Sequence, residues 1–121
     1  MTTTLPRVSE HALHRAVAQY LDTVIRPPAF WSTIPAGGGG LIRGANLKRK
    51  GLKPGLPDLM IFAPGGKVLG IELKAKGGVQ SAEQKAMAQR FADCGLWYVL
   101  CKSVEEVDRA LDFIRIRKAA A

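Results

Sequence analysis

From Ser9 to Val24 the apolar residues Leu13, Val17, Tyr20, Leu21 and Val24 recur at three- and four-residue spacing. That period gathers them on one stripe of an α-helix. Ser9 is placed to cap its first turn. Arg26-Pro27-Pro28 ends it, because proline removes a backbone donor and restricts the residue before it. The segment "AFWSTI", 29–34, turns aromatic and β-branched and reads as a strand. Further strands at 58–63 and 67–74 flank Pro64-Gly65-Gly66, and so short a glycine link predicts an antiparallel hairpin. A helix then runs from Ala82 to Cys94, with Ser81 and Gln84 at capping-box spacing and Gly95 as its stop. "LWYVLC", 96–101, is a wholly apolar strand, and the helix before it predicts a parallel crossover. Ser103 and Glu106 open a last helix that buries Val104, Val107, Leu111 and Ile114 and leaves Arg109, Arg115 and Arg117 to solvent. The order α-β-β-β-α-β-α predicts one α/β domain over 1–121, a mixed β-sheet flanked by helices, with 1–8 and 118–121 flexible.

One segment breaks this pattern. "PAGGGGLIRGANLKRKGLKPG", 35–55, reads as a glycine-rich loop too flexible to pack a core, and loops of this length are usually functional. Its basic run "RGANLKRKGLK", 43–53, carries Arg43, Lys48, Arg49, Lys50 and Lys53 and no acid. The chain's net charge is +8, and residues 1–57 hold eight Lys and Arg against two acids, whereas 58–121 hold ten against eight. So local an excess suits a polyanion such as nucleic acid, and Lys76 extends the set beyond the hairpin. A solvated surface without a partner is the alternative that charge alone leaves open.

No apolar run approaches the roughly 20 residues of a membrane span, and the first ten residues carry no apolar signal core. The expected location is the cytoplasm, with no membrane partner. Cys94 and Cys101 lie seven apart without a nearby His pair, which is no zinc spacing. They are expected to be buried thiols. Trp31, Trp97 and Tyr98 fall in strand patterns and are expected in the core.

The hairpin strands carry charge where apolar side chains belong. Strand alternation puts Leu69, Ile71 and Leu73 on one face and Val68, Gly70, Glu72 and Lys74 on the other. Residues two apart are about 6.6 Å apart along a strand, so both charged heads reach one cleft. Asp58 starts the partner strand, and the hairpin returns its start to the end of the other. Asp58 and Glu72 thus converge. Two carboxylates form a hard oxygen site suited to Mg2+ or Mn2+, and Lys74 beside them would offset phosphoryl charge. A surface Glu72–Lys74 ion pair plus a turn aspartate is the competing reading.

"PD" at 57–58 with "ELK" at 72–74 resembles the PD-(D/E)xK nuclease superfamily. More narrowly, "GLPDLMIF…IELKAKGG…SAEQ" resembles the virus-type replication-repair nuclease (VRR-NUC) family, over Ser9 to Ser103. The resemblance implies a restriction-endonuclease-like core and a metal-dependent phosphodiesterase. It implies Asp58 and Glu72 as Mg2+ or Mn2+ ligands, with the Leu73 carbonyl as a further oxygen. It gives Lys74 the nucleophilic water or the phosphate charge. Glu10 matches the family's helix acid, which faces the metal centre directly or through water; complementing the helix dipole is its other reading. Gln84 matches the family's active-site glutamine, against its role in the capping box. Short members are similar to homodimers that cut four-way (Holliday) DNA junctions. The expected activity is therefore a structure-selective DNA endonuclease. The alternatives are a nuclease of flap or linear duplex DNA and a non-catalytic DNA-binding module on a nuclease fold. His11 and His14 read as helix-surface residues rather than metal ligands.

Overall fold

The computed structural model describes residues 9–35 and 40–119, and for 40–43 the backbone alone. Its elements are α1 (Glu10–Val24), β1 (Phe30–Thr33), α2 (Gly40–Arg49), β2 (Leu59–Ala63), β3 (Lys67–Leu73), α3 (Ala82–Asp93), β4 (Trp97–Cys101) and α4 (Val104–Phe113). The four strands form one mixed sheet in the order β1-β2-β3-β4. β1 and β2 pair antiparallel, as do β2 and β3, while β3 and β4 run parallel. The parallel pair follows from α3, which carries the chain back between the two strands.

Alternation sorts the sheet into two faces. Leu59, Ile61, Leu69, Ile71 and Leu73 are buried together with Leu13, Val17, Leu21 and Val24 of α1 and Val107 and Leu111 of α4. Each such side chain contributes about 1.5–3 kcal/mol by leaving water. The charged positions therefore lie on the face away from α1 and α4.

The segment read as a loop contains α2. After Gly40, "LIRGANLKR" holds one glycine among residues of good helix propensity. The glycines on either side dominate the composition of 35–55 and mask that stretch. Leu52 N–H donates to Leu47 C=O at 3.0 Å and Gly51 adopts φ +100°, which ends the helix as a Schellman motif.

Ser9 caps α1 by accepting from Ala12 N–H. α4 departs slightly from its predicted box: Ser103 Oγ accepts from Glu106 N–H, but Glu106 Oε2 accepts from Lys102 N–H, one residue early. Cys101 is buried as expected, whereas Cys94 is exposed, because it sits at the C-cap of α3. Trp97 is also exposed, at 37%, since it opens an edge strand with no neighbour on one side. Lys118 and Ala119, in the tail expected to be loose, are tied: Ala119 N–H donates to Val24 C=O at 2.8 Å, and Lys118 pairs with Asp108 and Asp112. Residues 1–8, 120 and 121 lie outside the described residues.

Candidate active site

The ladder between β2 and β3 pairs Leu59 with Ile71. One step further, the same register sets Asp58 opposite Glu72. Directly opposed residues of an antiparallel pair project on the same face. Asp58 is held from both sides. Its C=O accepts from Ile34 N–H at 2.8 Å, and its Oδ2 accepts from Leu73 N–H at 2.6 Å. The short second bond is charge-assisted.

Glycine at 70 lets this corner close. A Cβ there would stand 2.6 Å from Pro57 Cγ and 2.9 Å from Phe91 Cε2. Pro57 is fully buried, so the residue before Asp58 is pressed onto the sheet where Gly70 leaves room.

Glu72 is 1% exposed, the only buried charged side chain among the described residues. Its Oε2 accepts from Tyr98 OH and Gln80 Nε2, each at 3.3 Å. Its Oε1 has no hydrogen-bond partner, and the Lys74 ammonium stands 3.4 Å from it. An ion pair with one partner fully buried is not the surface pair of the competing reading. Leaving a buried acceptor unsatisfied costs about 1–3 kcal/mol, so the arrangement needs a chemical reason. A hard divalent cation fits it. The donors are carboxylate oxygens on adjacent strands, one of them buried and without a hydrogen bond. No group of three or more His, Cys, Asp or Glu that could hold a metal occurs among the described residues. A two-carboxylate site is the kind Mg2+ uses, keeping several waters and adding phosphate oxygens.

Sequence alone does not assign Tyr98 and Gln80 to the site. Tyr98 stands beside Gly70 in the parallel ladder, which puts it on the Glu72 face. Burial foremost, then the charge and hydrogen bond of Glu72 and the charge of Asp58, push its hydroxyl well above the usual phenol range. It therefore stays a donor. The Tyr98 hydroxyl in an otherwise apolar strand is the available signal, but the register that aims it is set by pairing across 28 residues of sequence.

The other candidates are more dispersed. Gln84 completes the capping box: its Oε1 accepts from Ser81 N–H at 2.8 Å and Ser81 Oγ accepts from Gln84 N–H at 3.2 Å. Glu10 is exposed in the first turn of α1, and among the described residues no hydrogen bond or ion pair links it to Asp58 or Glu72. The Leu73 N–H is occupied by Asp58, and Lys74 N–H continues the ladder to Cys101 C=O at 3.1 Å. His14 Nε2 meets Thr33 Oγ1 at 3.0 Å, and His11 is exposed. Lys48, Arg49, Lys50, Lys53 and Lys76 are all exposed. Arg49 bonds Asn46, and none of the five forms an ion pair among the described residues. The side chain of Arg43 lies outside the described residues.

A mixed four-stranded sheet between helices, with Pro57-Asp58 and Glu72-x-Lys74 at adjoining strand ends, has the layout of a nuclease-type α/β fold. The VRR-NUC domain family model matches residues 34–105, and the chain belongs to that family. Two solved structures share the fold. A "VRR_NUC domain protein" is 23% identical, with 91% of this chain and 90% of that one covered and a TM-score of 0.73. A "VRR_NUC domain" is 16% identical, with 87% and 96% covered and a TM-score of 0.59. No curated protein matches the chain. No described helix is long and apolar enough to cross a membrane.

Proposed function

We propose that this protein is a divalent-metal-dependent DNA endonuclease, acting as a homodimer on branched DNA such as the four-way junction. The observation that carries the reading is the buried Glu72 carboxylate, opposite Asp58, with one oxygen unpartnered beside the Lys74 ammonium. Asp58 and Glu72 would hold Mg2+ or Mn2+, with the Leu73 carbonyl adding an oxygen. Bound there, such a cation supplies positive charge to a phosphodiester and acidity to a water. The chain's own groups do the rest. Lys74 offsets the negative charge that grows on the phosphoryl oxygens during attack. Asp58, its backbone C=O tied to Ile34 N–H and its Oδ2 to Leu73 N–H, keeps its carboxylate in one orientation. The exposed cations at the end of α2 and after it, Lys48, Arg49, Lys50 and Lys53, with Lys76, hold the phosphate backbone. Such contacts position DNA without reading its bases, so selectivity falls to the shape of the substrate. Two active sites related by a two-fold axis suit a substrate with two strands to cut. The family resemblance would add Glu10 and Gln84 to this site, but Gln84 is engaged in the Ser81 capping box and Glu10 makes no hydrogen bond or ion pair with Asp58 or Glu72 among the described residues.

The test is cleavage of four-way junction, flap and linear duplex, each with Mg2+ and with Mn2+, by the parent and by Glu72→Gln. The expected result is junction cutting by the parent and none by the variant, with both folded. Equal cutting by the variant would remove Glu72 from the site. Salt-sensitive DNA binding without cutting by the parent would make the protein a binding module.

A further inference from the structure

The Glu72 carboxylate has two oxygens in different surroundings, and the difference comes from two residues outside the nuclease motif. Both of its hydrogen bonds fall on Oε2, from Tyr98 OH and Gln80 Nε2. Oε1 is thereby turned toward Lys74 with its lone pairs free. A glutamate side chain has several rotatable bonds and a nearly symmetric head, so something must choose which oxygen the site receives.

Tyr98 is built for that choice. Its ring stands edge-on against Phe91, with centroids 5.2 Å apart and planes at 89°. Its backbone lies in the ladder beside Gly70. Its single hydroxyl proton is shared between two acceptors, Glu72 Oε2 at 3.3 Å and the Gly55 C=O at 3.0 Å. That turn is itself seated. Gly55 has φ +83°, and a Cβ there would stand 2.2 Å from the Glu83 backbone oxygen at the start of α3. Gly55 precedes Asp58 by three residues. One phenol therefore touches both the carboxylate on β3 and the turn that delivers Asp58.

We infer that Tyr98, with Gln80 as its helper, is a positioning residue for the divalent-cation site: it fastens Glu72 Oε2 and the Gly55 turn so that Glu72 Oε1 and Asp58 are presented together. The inference rests on the proposed role of Glu72 as a ligand. Removing the hydroxyl leaves Oε2 with one long hydrogen bond and frees the Gly55 carbonyl. The carboxylate then samples other orientations, and the cation binds to fewer of them. Partners in this position typically change metal affinity about 10–100-fold.

The experiment is a titration of Mn2+ into the DNA-free protein, for the parent, Tyr98→Phe, Gln80→Ala and Glu72→Gln, with melting temperatures measured in chelator. Tyr98→Phe should raise the Mn2+ dissociation constant about 10-fold or more, Gln80→Ala by less, and Glu72→Gln should abolish binding. In cleavage, Tyr98→Phe should need correspondingly more Mn2+ for half its maximal rate and regain most of that rate at saturation. Parent-like Mn2+ affinity in Tyr98→Phe, with binding lost in Glu72→Gln, overturns the positioning role and leaves the ligand assignment standing. A lowered melting temperature with unchanged affinity also overturns it, as a structural role alone. Parent-like affinity in Glu72→Gln overturns both. If Tyr98→Phe fails to fold, Gln80→Ala decides, and parent-like affinity there overturns the inference.

Discussion

Asp58 Oδ2 accepts a 2.6 Å hydrogen bond from the N–H of Leu73, the residue that follows Glu72. The two acids are thus coupled through backbone, and a shift of one strand end moves both. Asp58→Asn separates the charge of this residue from its hydrogen bond, because the amide oxygen can still accept from Leu73. The variant should unfold within about 1 kcal/mol of the parent, since a weaker bond is offset by relief of repulsion from Glu72. Cleavage should fall about 100-fold or more, the rate equivalent of several kcal/mol of lost electrostatic stabilisation. Parent-level cutting by a folded Asp58→Asn protein would mean that the charge at 58 is not needed.

Lys48 and Arg49 occupy the last turn of α2, and Lys50 follows it, all exposed. Replacing the three with alanine costs the helix little propensity. DNA affinity should drop for every sequence and shape. The slope of log affinity against log salt should flatten by up to about 2.7, roughly 0.9 for each phosphate that is no longer neutralised. Mn2+ affinity without DNA should not change. A slope equal to the parent's would place the DNA elsewhere.

These two sites were legible to different degrees. Asp58 and Glu72 could be paired from sequence because a short hairpin fixes its own register: Pro64-Gly65-Gly66 leaves few ways to align β2 with β3. Tyr98 could not be assigned, because the β3–β4 register is settled by how α3 packs, with Phe91 against the Gly70 gap. Gln80 lies in the irregular segment before α3, whose path depends on Gly78 approaching Lys74, where a Cβ would stand 2.9 Å from Lys74 Cβ. α2 was missed for a local reason, its helical residues being flanked by glycines. The apolar stripes of α1 and α4 were readable because burial enforces their period.

Gly70 offers a test of how closely packing sets the site. In Gly70→Ala the new methyl would meet Pro57 at 2.6 Å, and Pro57 is buried with nowhere to retreat except away from the sheet. Overpacking of this kind costs about 1–3 kcal/mol. Because Asp58 is next in sequence, the displacement should also lower cleavage, with DNA binding retained. A denaturation curve superimposable on the parent's would show that this corner is looser than its distances imply.

The far end of the molecule predicts its own pH response. Tyr20 OH donates to Asp108 Oδ1, and Lys118 Nζ donates to the same oxygen at 2.5 Å and reaches Asp112 at 2.6 Å. Lys118 foremost, then Tyr20, hold the Asp108 carboxyl below its ordinary pKa. Burial first, and then the Asp108 bond, push the Tyr20 hydroxyl up to about 12. A depressed carboxyl pKa gives stability that is present above the unfolded value, near 4, and lost as pH falls through the folded one. A raised phenol pKa gives stability that is complete below about 10 and lost as pH climbs toward the folded value. Asp108→Asn should therefore be less stable than the parent at pH 7, and the difference should close as pH falls below about 4. Tyr20→Phe should show its closing limb at the alkaline end instead. Denaturant midpoints measured from pH 3 to 7 check the first, and a parent–variant gap that stays constant over that range would show that the charge on Asp108 does not hold the C-terminal segment against α1.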